Sequence, residues 1–235
     1  MQTLALDAAR RQDDATGQAH ARRGLGVAHV ILDRPDEAQA HYALALDLFR
    51  TLGDHGGQAR THQNLAWLAG SQHRHRDALD HNRHSLRHYR ADGDLAGQAV
   101  ALNNLGWHRS QLGDLRQALT DCRSALALLQ QTGDVNGQAH TWDSLGYIHH
   151  RIGQTAQAVD CYRRALDLFR QTGDRHSEAT ALAYLGDTHH DADQPDAAYH
   201  AWTRALAIFE ELGHPDAGPL RVKTLSVRDR SLSGR

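Results

Sequence analysis

GDVNGQAHTWDSLGYIHHRIGQTAQAVDCYRRALDLFRQT, residues 133–172, decides the reading of this chain. Ala139, Trp142, Leu145, Gly146 and His149 recur at three- and four-residue steps, as do Ala158, Cys161, Tyr162, Ala165, Leu168 and Phe169 after Gly153. That spacing predicts two amphipathic helices joined by a short turn. Gly133 suits the left-handed residue that ends a helix, and Asp134 the N-cap of the next. The stretch is one copy of a repeat. Gly17-Gln18-Ala19 returns as Gly57-Gln58-Ala59, Gly97-Gln98-Ala99, Gly137-Gln138-Ala139 and, altered, Ser177-Glu178-Ala179, each step being 40 residues. Ala38, Ala78, Ala118, Ala158 and Ala198 keep the same step, as do Leu25-Gly26, Leu65-Ala66, Leu105-Gly106, Leu145-Gly146 and Leu185-Gly186. One hairpin cannot bury its own apolar face, so the repeats are expected to stack as an all-α solenoid of antiparallel helix pairs.

The frame divides the chain into five full repeats, 13–52, 53–92, 93–132, 133–172 and 173–212. Residues 213–226 are expected to form a capping helix and 227–235 a flexible tail. Ala5-Leu6-Asp7 precedes Ala45-Leu46-Asp47 by 40 residues, so residues 1–12 read as the second helix of a partial repeat. A half repeat caps a solenoid poorly, which points to a piece of a longer repeat protein, and its apolar end is one on which a second copy could stack. The second repeat is the expected soft point. Ala66 replaces glycine there, and Asn82 and Ser85 stand where Tyr162 and Ala165 stand in the fourth repeat.

Composition excludes more than it assigns. The 26 basic and 28 acidic side chains give a formal net charge of −2, which offers no whole-chain attraction to nucleic acid or anionic membrane. The basic residues Arg221, Lys223, Arg228, Arg230 and Arg235 are read as a solvated tail, and no apolar run suits a membrane span. The only cysteines, Cys122 and Cys161, fall beside packing positions, and a reducing cytoplasm is expected. No Ser or Cys is spaced beside a histidine to act as a nucleophile, and no phosphate-binding glycine loop is present, so no enzyme and no cofactor is expected.

These residues resemble the tetratricopeptide repeat family, whose signature places are filled here by Trp142, Leu145, Gly146, Gly153, Ala158, Tyr162 and Ala165. His149 replaces the usual aromatic, and the closing proline is absent, in keeping with a period about six residues longer than the standard repeat. The resemblance implies a right-handed superhelix that binds protein or peptide along a concave groove lined by the first helices. Together with 201–217, AWTRALAIFEELGHPDA, the repeat style resembles the C-terminal region of actinobacterial transcriptional regulators of the Streptomyces antibiotic regulatory protein type and of nucleotide-binding signal ATPases. That implies a regulatory or signal-sensing module, with a free-standing peptide-pheromone receptor or adaptor as the alternative.

By the same resemblance the groove positions are Arg60, Gln63 and Trp67, then Asn103 and Trp107, then His140, Asp143, Tyr147, His150 and Arg151, then Asp187 and His190. Each set shares a helix face. Trp67, Trp107 and Tyr147 stand 40 apart and suit contact with a peptide, with Gln63 and Asn103 able to pair with its backbone. The alternative is that these rings pack between first helices as core. Among the 19 histidines, His81, His84 and His88 share what reads as the outer face of a second helix and are weak candidates for a metal. No metal site is expected from them, and the pairs His149-His150 and His189-His190 are read as repeat copies.

Overall fold

A computed structural model describes the backbone of residues 2–233 and the side chains of residues 4–226. The described residues form twelve helices and no strand: α1 (Gln2–Arg11), α2 (Ala15–Ile31), α3 (Pro35–Leu52), α4 (His55–Ser71), α5 (His75–Asp92), α6 (Leu95–Gln111), α7 (Leu115–Thr132), α8 (Val135–Ile152), α9 (Thr155–Thr172), α10 (Arg175–Asp191), α11 (Pro195–Glu211) and α12 (Ala217–Ser233). Among them, none is long and apolar enough to cross a membrane. They fall into two compact blocks, 1–128 and 129–235, with the division inside α7.

The repeat markers have local structural duties. Asp14, Asp54, Asp94, Asp134 and Asp174 are N-caps, each carboxylate accepting from the amide of Gly17, Gly57, Gly97, Gly137 or Ser177 at 2.7–3.0 Å. The glycine of the triplet is there for space: a Cβ at Gly57 would run into the Phe49 ring, one at Gly97 into Tyr89 and one at Gly137 into Leu129. In the third and fourth repeats the glutamine ties a helix to the one before it, whereas Gln58 Nε2 donates to the Asp54 carbonyl of its own N-cap at 3.2 Å. Gln98 Nε2 donates to the Tyr89 carbonyl at 3.4 Å and Gln138 Nε2 to the Leu129 carbonyl at 3.2 Å. Glu178 has no donor for that carbonyl and accepts instead from Arg170 at 2.9 Å and Arg175 at 2.7 Å. The alanine, fully buried in all five repeats, lets the helices close.

In the N-terminal block α2 packs on α3, α4 on α5, and α5 on α6. Ala38, Tyr42, Leu65 and Leu68 form one apolar cluster, and Ala19, Ala45 and Phe49 another. In the C-terminal block a single core runs from Ala139 to Leu220 around Tyr162, Phe169, Trp202 and Phe209. Cys122 and Cys161 are buried and free, and burial pushes the Cys122 thiol up to about 12. Helix α12 runs past the expected boundary at 226 and ends at Ser233, because no glycine or proline interrupts it after Pro219. The side chains of the expected tail, 227–235, lie outside the described residues.

Candidate binding surface

The predicted groove residues lie on the first helices α4, α6, α8 and α10. In the N-terminal block Trp67 of α4 is 61% exposed and Trp107 of α6 is half-buried. Arg60 is exposed. Gln63 accepts from the Tyr89 hydroxyl at 2.6 Å, and Asn103 accepts from the Cys122 thiol at 3.7 Å. The carbonyl ends of both amides therefore serve the fold, a use their spacing did not announce.

In the C-terminal block Asp143 of α8 is partly buried, and its inner oxygen, Oδ1, is enclosed without a hydrogen-bond partner. Desolvation alone raises its carboxyl to about 7. Three tyrosines stand near it. Tyr147 meets Tyr184 edge-on with centroids 5.5 Å apart, and Tyr184 stacks on Tyr162 at 6.5 Å. Burial and then the Asp143 charge push the Tyr184 hydroxyl up to about 12 and hold that of Tyr162 well above its usual value. The Tyr162 hydroxyl, which Thr188 approaches without closing a hydrogen bond, is also unpartnered.

The remaining predicted residues are committed to neighbours. Arg151 lies over Tyr147 and donates to its hydroxyl at 3.1 Å. His150 Nε2 is 2.9 Å from Asp191. His140 packs edge-on against Phe169, and burial lowers its pKa although Asp174 lies 3.8 Å away. Asp187 receives the Lys223 ammonium at 2.8 and 3.0 Å and the Trp202 indole N–H at 3.0 Å, and His190 leans on the same indole. Lys223 is thus an internal ion-pair partner, and Arg221 likewise donates to Glu210 at 2.5 Å. A cleft lined by Thr180, Tyr184, Asp187, Pro219 and Lys223 opens between α10 and α12.

The histidines depart from the sequence reading. His81, His84 and His88 do not lie on an outer face but pack against α4. His84 stacks on His62 with centroids 4.8 Å apart, His81 Nδ1 is 3.2 Å from His62 Nδ1, and His88 Nδ1 is 3.2 Å from His55 Nδ1. The reason is volume. The small side chains Ala78, Asn82 and Ser85 line the buried side of α5 and bring it close to α4, so the flanking imidazoles meet. Desolvation, followed by His84, His81 and His88, lowers His62 to about 3. Among the described residues no three His, Cys, Asp or Glu side chains converge on a position for a metal ion. His149 and His189 each bond the glutamine five residues on, Gln154 at 2.6 Å and Gln194 at 2.7 Å, so this repeated histidine closes the turn within its pair.

The family model for the tetratricopeptide repeat matches residues 17–91 and 137–211. No curated protein matches the chain in sequence. Among solved structures it is similar to BtubC (BKLC) from P. vanneervenii, with a TM-score of 0.76 and 19% identity over 91% of each chain. It is also similar to aspartyl phosphate phosphatase F from Bacillus subtilis, with a TM-score of 0.77 and 14% identity over 97% of this chain and 62% of that one. A third similar structure is a signal transduction ATPase with numerous domains, carrying a tetratricopeptide repeat sensor, from Pyrococcus horikoshii. There the TM-score is 0.73 and the identity 13%, over 97% of this chain and 40% of that one. At these identities the likeness is one of fold.

Proposed function

Because the chain belongs to the tetratricopeptide repeat family, we propose that it is a non-catalytic scaffold whose first-helix face binds a peptide or a segment of another protein. The observation that carries this reading is Trp67. A large ring 61% exposed on a first helix, beside the amide of Gln63, is costly in water and useful against a ligand. Trp107 stands at the same repeat position on α6, with Asn103 a turn before it, and Tyr147 stands at that position on α8. Both cysteines are buried, which leaves no thiol placed for nucleophilic work.

A regulatory or signal-sensing role in a bacterial transcriptional regulator is the finer form of the proposal. It is supported by the repeat style of 201–217 and by the likeness to an ATPase whose repeats are described as a sensor. A free-standing peptide-pheromone receptor or adaptor in the cytoplasm is the second reading, and the same repeat fold would serve it. The proposal involves no direct contact with nucleic acid or membrane and no cofactor, and it allows copies to stack end to end.

Selection from a random dodecapeptide display library tests the face. The wild type is expected to enrich binders that a Trp67→Ala/Trp107→Ala/Tyr147→Ala variant of equal helicity does not retain. Equal enrichment by both proteins would remove the proposal.

A further inference from the structure

From the Asp143 cluster we infer a site for a basic side chain of the bound peptide, its ammonium or guanidinium on the Asp143 carboxylate and its alkyl stem against Tyr147 and Tyr184. The inference rests on the peptide-binding reading and names the chemistry of one subsite within it.

The first argument is the cost of the carboxylate. Asp143 takes part in no hydrogen bond or ion pair among the described residues, and its inner oxygen is enclosed. A carboxylate withdrawn from water without a partner destabilises the fold more than a neutral amide would, and an alanine carries no such cost. At the same register the other repeats carry Arg23, Gln63, Asn103 and Ala183, so only the fourth repeat carries an acid. The fold has no use for that acid that its siblings lack.

The second argument is the surroundings. The rings of Tyr147, Tyr162 and Tyr184 come from three different helices and pack at 5.5 and 6.5 Å, and the Asp143 charge is close enough to act on Tyr162 and Tyr184, so carboxylate and aromatic rings stand together as a cation requires. The nearest basic side chain of α8, Arg151, is held on Tyr147 a turn away. Tyr184 also lines the cleft between α10 and α12.

The third argument is that the chain makes the same arrangement for itself one repeat later. Lys223, its only lysine, places its ammonium 2.8 and 3.0 Å from the Asp187 carboxylate and 5.7 Å from the centroid of the Trp202 ring. Trp202 stands 40 residues after Tyr162 and Asp187 stands 40 after Tyr147. Carboxylate, ring and primary ammonium are therefore compatible with this helix geometry. At Asp143 the carboxylate and rings are present, and the cation must come from another chain.

The experiment uses the full chain and the random dodecapeptide library, with wild type, Asp143→Asn and Trp67→Ala/Trp107→Ala as baits. Asparagine keeps the shape and removes the charge, and since it relieves a desolvated carboxylate it should fold at least as well. Wild type should select peptides with Lys or Arg at one fixed spacing from an apolar residue, and Asp143→Asn should select peptides without that preference. Replacing the selected Lys by norleucine, or Arg by citrulline, should weaken binding to wild type about tenfold and binding to Asp143→Asn by less than about twofold. Peptides from wild type with no basic position, or the same basic position selected by Asp143→Asn, would overturn the inference and leave the peptide-binding reading standing. No enrichment by wild type beyond that of Trp67→Ala/Trp107→Ala would overturn both.

Discussion

At the scale of single residues, one methyl group decides how the helices of a pair meet. Gly146 lies under the Tyr162 ring, where a Cβ would sit 2.8 Å from two ring carbons, and Gly26 and Gly186 lie in the same way under Tyr42 and Trp202. In the second repeat the glycine has become Ala66 because its partner has become Asn82, whose small side chain leaves the room. Gly146→Ala should therefore destabilise by about 1–3 kcal/mol in denaturant unfolding, the overpacking outweighing the gain in helix propensity. The sequence showed Ala66 and Asn82 as two separate departures; only the packing shows that one compensates the other. A second residue-scale strain sits at His73, which ends its turn at φ 57° where the third and fourth repeats use Gly113 and Gly153. His73→Gly should raise the melting temperature, with up to about 1 kcal/mol of stabilisation. At the candidate site, spacing placed Asp143, Tyr147 and Asp187 on a shared kind of face. It could not tell that Asp187 is already paired with Lys223, 36 residues away, while Asp143 is not.

At the scale of helices, the repeat markers were legible as punctuation and became specific as contacts. Asp caps and triplet glycines recur because every helix pair must join the next in the same way. Asp54→Ala removes the bond to the Gly57 amide and should cost about 1 kcal/mol in thermal unfolding. The histidines of α5 were misplaced by periodicity, since an exposed face and a face turned to a partner helix have the same spacing. Their packing sets a pH dependence. Unfolded His62 takes up a proton below about 6.5, whereas in the fold it stays neutral down to about 3. His81 and His88 are lowered in the same direction. Stability present above pH 6.5 is therefore lost as the pH falls toward 3, because the unfolded chain binds more protons across that window. The melting temperature should drop between pH 7.5 and 5, and should drop less in His62→Gln.

At the scale of the whole chain, a fixed period with no insertion made the fold class readable, and each 40-residue copy added independent support. The division into two compact blocks inside α7 was not readable, because the 40-residue step runs through 115–132 without interruption even though Cys122 and Leu129 stand where the fourth repeat has Tyr162 and Phe169. Unequal repeats imply unequal local stability. Helices α4 and α5 bury Asn82, with an unpartnered carbonyl, and Ser85, with an unpartnered hydroxyl, whereas α8 and α9 bury Tyr162, Ala165 and Phe169. Amide hydrogen exchange should be faster in 60–90 than in 139–170, and equal protection of the two would refute that assignment.

The central claim is that ligands meet the first helices. Hydroxyl-radical footprinting of the full chain, with and without a library-selected peptide, reads this directly. The account predicts protection of Trp67, Trp107, Tyr147 and Tyr184, on α4, α6, α8 and α10, with no change on α5, α7, α9 and α11. Protection confined to the second helices, with Trp67 labelled equally in both samples, would contradict it.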